Sequence, residues 1–112
     1  MDLKISETVL SERQALLTLG GPMNAVTAPE LKGRLRALAA GGWTHLVIDM
    51  EGVSFIDSSG LAALVAGLKA VRGAGGSLKL AAVGEQARAV FKLTTLERIF
   101  EFYPSAEVAL EG

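Results

Sequence analysis

Asp57-Ser58-Ser59-Gly60 sets a carboxylate and two adjacent hydroxyls between an apolar approach, Val53 to Ile56, and a helix-like run. Side chains at such a junction can do two things. They can accept from the first amides of the helix, which have no intrahelical partners. A hydroxyl there can also carry a phosphate, adding about −1.5 to −2 charge where free amides and the helix dipole favour an anion. That charge would leave the domain folded and disturb a docked partner. Gly60, without a side chain, would let a partner approach the loop closely.

Other chemistries find less support. A hydrolase needs a base within hydrogen-bond reach of its nucleophile. His45 is the only histidine, and it is expected at the far end of a strand from Ser58, as a surface residue. The G-x-S-x-G spacing of a nucleophile elbow is absent. Gly73-Ala74-Gly75-Gly76 lacks the Lys-Ser/Thr end of a phosphate-binding loop and follows a helix rather than a strand, so it reads as a helix stop. Asp49 and Glu51 suggest a metal pair or a receiver-type phosphoacceptor. A receiver needs a further acidic pair after its first strand, and Thr18 to Met23 holds none. The pair is expected to flank a loop. No metal site and no cofactor are expected.

The elements that must position DSSG follow from the spacing of apolar residues. Lys4 to Val9 and Arg13 to Gly20 read as two strands, with Leu17 and Leu19 on one face of the second and Leu16 and Thr18 on the other. Gly20-Gly21-Pro22 should end regular pairing. Thr27-Ala28-Pro29-Glu30 fits a capping box, and Leu31, Leu35, Leu38 and Ala39 follow at helical spacing. His45 to Met50 suits a central strand covered on both faces. Leu61, Leu64, Val65, Leu68 and Val71 mark one buried helix face. Ser77 to Val83 reads as a strand and Glu85 to Leu96 as a helix, with Val90, Phe91 and Leu93 toward the core. Ile99 to Phe102 makes a last strand, and Pro104 opens a short terminal helix. Trp43, Phe91, Phe100 and Phe102 are expected to pack. The alternation after the first hairpin predicts a single α/β domain over 1–112, a mixed, mostly parallel sheet with helices packed on it.

Composition bounds the function. The chain has 112 residues, half of them hydrophobic, and a formal net charge of −1. No basic run suggests direct nucleic-acid binding. There is no cysteine, which removes disulfides and thiol chemistry. The start lacks the charged and apolar regions of a signal peptide, and no apolar run approaches the roughly 20 residues of a membrane helix. A cytoplasmic protein without membrane insertion is expected.

The segment HLVIDMEGVSFIDSSGLAALVAGLKAVRGAGGSLKLAAVGEQARAVFKLTTLERIF resembles the STAS family, and within it the bacterial anti-sigma factor antagonists. The likeness rests on the strand ending in Asp49, then V-S-F-I-D-S-S-G-L, a Gly-Gly turn and V-F-K-L-T-T-L-E-R-I-F. It implies a non-enzymatic switch. The serine after the Asp, here Ser58, would be phosphorylated by the anti-sigma factor, an ATP-dependent serine kinase. The unphosphorylated form would bind that kinase and free the sigma factor, and a phosphoserine phosphatase would restore it. Ser59 would keep the cap role and Asp57 would order the loop. Asn24, Asp57, Ser58, Ser59 and Gly60 would form the partner surface. Asn24 stands where the family usually has Asp, keeping the shape without the charge. Related domains serve as anion-transporter tails, subunits of lipid-transport complexes and parts of stress-sensing assemblies. A STAS scaffold or transporter-complex subunit that is never phosphorylated is therefore the alternative, and a small-molecule-binding or hydrolytic domain is a further one.

Overall fold

Alternating side chains set the two faces of the sheet. Strand β2 (Gln14–Met23) buries Ala15, Leu17 and Leu19; strand β3 (His45–Ile56) buries Leu46, Ile48 and Met50. Successive strand residues point to opposite faces, so these six share one. Helices α1 (Ala28–Ala40), α2 (Ser58–Gly73) and α3 (Glu85–Leu93) cover it, with Leu31, Leu35, Leu64, Val71 and Phe91 among the side chains they bury. Val47, and Ala81 of strand β4 (Ser77–Ala81), point the other way. They meet Ala109 of the terminal helix α4 (Ala106–Glu111). The apolar run of β3 is thus covered on both faces.

The computed structural model describes residues 2–111. Met1 and Gly112, the outer bounds of the expected domain, lie outside the described residues. Strand order is β1-β2-β3-β4-β5, with β1 (Lys4–Val9) and β5 (Glu101–Tyr103) at the edges. β1 runs antiparallel to β2, and the other pairs are parallel. This is the expected mixed, mostly parallel α/β sheet. Its parallel strands all end on one rim.

Several boundaries differ from those expected. β2 does not stop at Gly20. It continues beside β3 through Gly20↔Gly52, Gly21↔Val53, Pro22↔Phe55 and Met23↔Ile56, with two register shifts. Pro22 is tolerated because β1 pairs with β2 only as far as Gly20, so no ladder bond on that side requires an amide from Pro22. Gly21, at φ +111, supplies the backbone conformation that other residues avoid. Asp49 and Glu51 lie within the long β3, not in a loop, and the Asp49 carboxylate accepts from the Glu51 amide at 3.0 Å. α3 is shorter than expected and leaves Leu93 84% exposed. The Thr94 hydroxyl donates back to the Val90 and Phe91 carbonyls, and Thr95 turns left-handed at φ +59 before a 3-10 turn at Leu96–Arg98. Phe91 is fully buried and meets Phe100 and Phe102 edge-on at 5.4 and 5.2 Å, a favoured aromatic geometry.

Candidate partner-binding rim

The ends of β2 and β3 meet in register at Met23↔Ile56. The loops that follow therefore leave the sheet side by side. One carries Asn24 and leads to α1; the other is Asp57, leading to α2. The Asp57 amide donates to the Met23 carbonyl at 3.1 Å, tying the second loop to the first.

Asp57 is the N-cap of α2. Its backbone is extended (φ −117°, ψ −172°), and its carboxylate accepts from the Ser59 amide at 2.9 Å and the Gly60 amide at 3.1 Å. This satisfies two of the helix's orphan donors. The cap role expected of Ser59 thus belongs to Asp57. Ser59 is already the second helical residue, and its own amide is one of those being capped. Ser58 is the first helical residue and is exposed. The capping bonds do not draw on its hydroxyl.

Gly60 has a different reason from the one expected. A Cβ there would lie 2.6 Å from the Met23 carbonyl oxygen and 2.8 Å from Ile56 Cγ1. The missing side chain lets α2 settle onto the ends of β2 and β3. Gly60 is buried and leaves no opening for a partner.

The Asn24 loop is built by reciprocal bonds. Asn24 Oδ1 accepts from the Val26 amide at 3.0 Å and the Thr27 amide at 3.1 Å. The Thr27 hydroxyl donates to the Pro22 carbonyl at 2.8 Å, and its oxygen accepts from the Asn24 amide at 3.0 Å. Thr27 therefore does not form the expected capping box and makes no side-chain cap to α1. Its helical backbone (φ −93°, ψ −26°) and inward hydroxyl serve the preceding turn instead. Only the carbonyl oxygen of Asn24 is used, an acceptor that a carboxylate would equally supply.

Gln86 was not foreseen. Its amide oxygen accepts from the Ile56 amide and its nitrogen donates to the Ile56 carbonyl, both at 2.9 Å. From the first turn of α3 it imitates a neighbouring strand, on the side of β3 beyond its last pair with β4 at Asp49↔Ala81. It fixes the residue directly before Asp57. Nothing in its spacing advertises this, because the partner lies thirty residues earlier and only the tertiary fold joins them.

Apolar side chains border the same rim. Val26 is 84% exposed and Phe55 45%. Val26 sits in the Asn24 loop, and Phe55 pairs with Pro22 two residues before Asp57. Exposed large apolar groups clustered beside polar ones are typical of protein contact surfaces. The remaining candidates lie elsewhere. His45 begins β3, at the opposite end from Ser58, and its Nδ1 stands 3.0 Å from Ser77 Oγ. Gly75, at φ +80, turns the chain after α2, as the helix stop requires. Among the described residues no group of three His, Asp or Glu side chains is placed to hold a metal ion, and no helix is long and apolar enough to cross a membrane.

A mixed five-stranded sheet with helices on both faces, its rim presenting an exposed serine at the start of a capped helix, is an α/β domain of defined architecture. The chain belongs to the STAS domain family, whose model matches residues 2–109. It is 33% identical over 97 residues to an anti-sigma-B factor antagonist of Bacillus subtilis, covering 87% of this chain and 88% of that one. It is 29% identical over 108 residues to the anti-sigma-B factor antagonist of Staphylococcus aureus, covering 96% and 99%. Among solved structures, an anti-sigma factor antagonist from Mycobacterium paratuberculosis superposes with a TM-score of 0.86 at 28% identity, covering 97% of this chain and 92% of that one. These relatives are named as regulators, not as enzymes.

Proposed function

We propose that this protein is an anti-sigma factor antagonist switched by phosphorylation of Ser58. In this reading the unphosphorylated form binds an anti-sigma factor serine kinase in the cytoplasm and so regulates sigma-factor-dependent transcription without touching nucleic acid. The kinase phosphorylates Ser58 and is released; a phosphoserine phosphatase resets the switch. The observation that carries the reading is Ser58 itself: exposed, first in α2, with its hydroxyl free because Asp57 makes the cap. A phosphate there meets the positive end of α2, worth about 0.3–1 kcal/mol at an exposed helix end, so the domain stays folded. The same dianion, forced into a docked interface, loses water and disfavours the complex. The partner surface comprises Asn24, Asp57, Ser58 and Ser59 with Val26 and Phe55 beside them.

The test has two parts. The protein is incubated with ATP and the kinase fraction of its own cell, and mass spectrometry locates the phosphate. The isolated kinase is then titrated calorimetrically with wild type, Ser58→Asp and Ser58→Ala. Phosphate on Ser58, weak binding by Ser58→Asp and retained binding by Ser58→Ala are expected. Phosphate on Ser59, with Ser58→Asp binding like wild type, would sink the assignment.

A further inference from the structure

Ser58 stands at one end of an open groove of about 750 Å³ that continues along α2 and is lined also by α1, Thr94 and Leu96. Three cations line it: Lys32 and Arg36 from α1 and Lys69 from α2. No carboxylate lines it. Among the described residues the ion pairs are Arg34–Glu7 and Arg88–Glu97, so none of the three is neutralised. Lys32 and Arg36 are one turn apart on the same helix face, where like charges repel. In a chain of net charge −1 this is a local concentration of positive charge, and it steers acidic partners.

The floor is as selective as the charge. Ala62, Ala66 and Ala70 line the groove at intervals of four, which places them in one row along α2. Small side chains in a row let a second helix approach closely. The groove is open, and its cations come from two neighbouring helices, Lys32 and Arg36 from α1 and Lys69 from α2. A compact anion would leave the apolar row of Ala62, Ala66 and Ala70 uncovered, whereas an acidic amphipathic helix lying along α2 can cover that row and meet the cations. Here α2 is sixteen residues long, about 24 Å at helical rise.

We infer that this groove receives an acidic amphipathic helix of the partner protein, its apolar stripe on Ala62, Ala66 and Ala70 and its carboxylates on Lys32, Arg36 and Lys69. The inference rests on reading the Ser58 rim as a partner face, and it names the chemistry that extends that face. The helix-in-groove mode gives the charge pattern the role of choosing the partner.

The probe is a synthetic helical peptide of about 16 residues with a Leu/Ala stripe flanked by Glu, added to the isotopically labelled full chain and followed by NMR. Shift changes confined to α1, α2 and the segment around Leu96 are expected. Lys32→Glu with Arg36→Glu should weaken the peptide at least about tenfold, and a Lys-flanked version should bind that variant but not wild type. Ala62→Trp, at an exposed position in the same row, should block both. A peptide that moves no groove signals, or binds equally after charge reversal, overturns the inference. So does decanoate perturbing the groove while the peptide is inert, which would assign it to an anionic amphiphile. The assay contains no kinase, nucleotide or phosphate, so failure of the Ser58 switch and failure of the groove give different results.

Discussion

The two ends of the parallel sheet both carry serine, and only one sets it at the start of a capped helix. At the carboxyl ends of β2 and β3, Asp57, Asn24, Thr27 and Gln86 bond to backbone within two loops that touch. At the other end Ser77 has a histidine at 3.0 Å, a closer approach to a nucleophile and base than Ser58 enjoys. Yet both strands there are only beginning, so no helix N-terminus aims its amides at Ser77. Glu101 nearby is engaged by the Tyr103 hydroxyl at 2.9 Å, and that hydrogen bond, with burial and the carboxylate's charge, raises the tyrosine above its ordinary value. It orders no catalytic constellation around His45. A hydroxyl becomes addressable where strands end and helices begin, and not simply where a histidine stands close.

The sharpest way to break that contrast is to damage the element that presents Ser58. Leu64 is fully buried on α2, and Leu64→Ala should cost about 2–5 kcal/mol. An unchanged denaturation midpoint would show that this face of α2 is not core. Glycines give a paired test next. Gly60→Ala drives a Cβ to within 2.6 Å of backbone at the rim and should cost about 1–3 kcal/mol. Gly73→Ala, at the other end of the same helix, meets nothing within 4 Å and should stabilise by about 0.4–1 kcal/mol. Equal effects from the two would erase the distinction between a packed rim and an open end.

Caps sharpen the comparison further. Asp57→Ala removes the acceptor for two amides and should cost about 0.5–2 kcal/mol. Hydrogen exchange should quicken at Ser59 and Gly60 in the same variant. His45→Ala, exposed and outside the core, should stay within about 0.5 kcal/mol of wild type. A His45→Ala variant less stable than Asp57→Ala would place the structural weight at the wrong end.

The helix faces, the doubly covered β3 and the serine at the start of α2 were legible in the sequence because periodicity and local capping chemistry are short-range signals. What escaped was long-range. Pro22 and the glycines before it read as a stop, but only the sheet reveals that the ladder with β1 ends before Pro22 while the one with β3 goes on. Gly60 read as open space, whereas its need is the nearness of Met23, far away in the chain. Thr27 matched a capping pattern and was claimed instead by Pro22 and Asn24. Gln86 carried no local signal at all. In each case a side chain's partner depends on which strand ends lie together, and hydrophobic patterning is silent on that.

A last substitution, of small expected effect, separates the rim's shape from its charge. Asn24 uses only its carbonyl oxygen, accepting from the Val26 and Thr27 amides. Asn24→Asp offers the same acceptor with a full negative charge, just before the first turn of α1. The free amides and dipole of that helix should stabilise it by about 0.3–1 kcal/mol. The sign is fixed by linkage. A carboxylate favoured in the fold has its pKa depressed there, so the gain is present above the unfolded value of about 3.9 and is lost as pH falls through the folded one. Thermal melts at pH 7 should therefore show Asn24→Asp slightly above wild type, and acid melts should bring the two together. Calorimetric titration of the proposed kinase partner beside these melts reads the other half. If the charge also matters to the partner, its affinity should change while the loop's amide exchange stays as in wild type. Slower or faster exchange at Val26 and Thr27 would mean that the substitution had rebuilt the loop, and that the family's usual Asp and this chain's Asn24 are not interchangeable in shape.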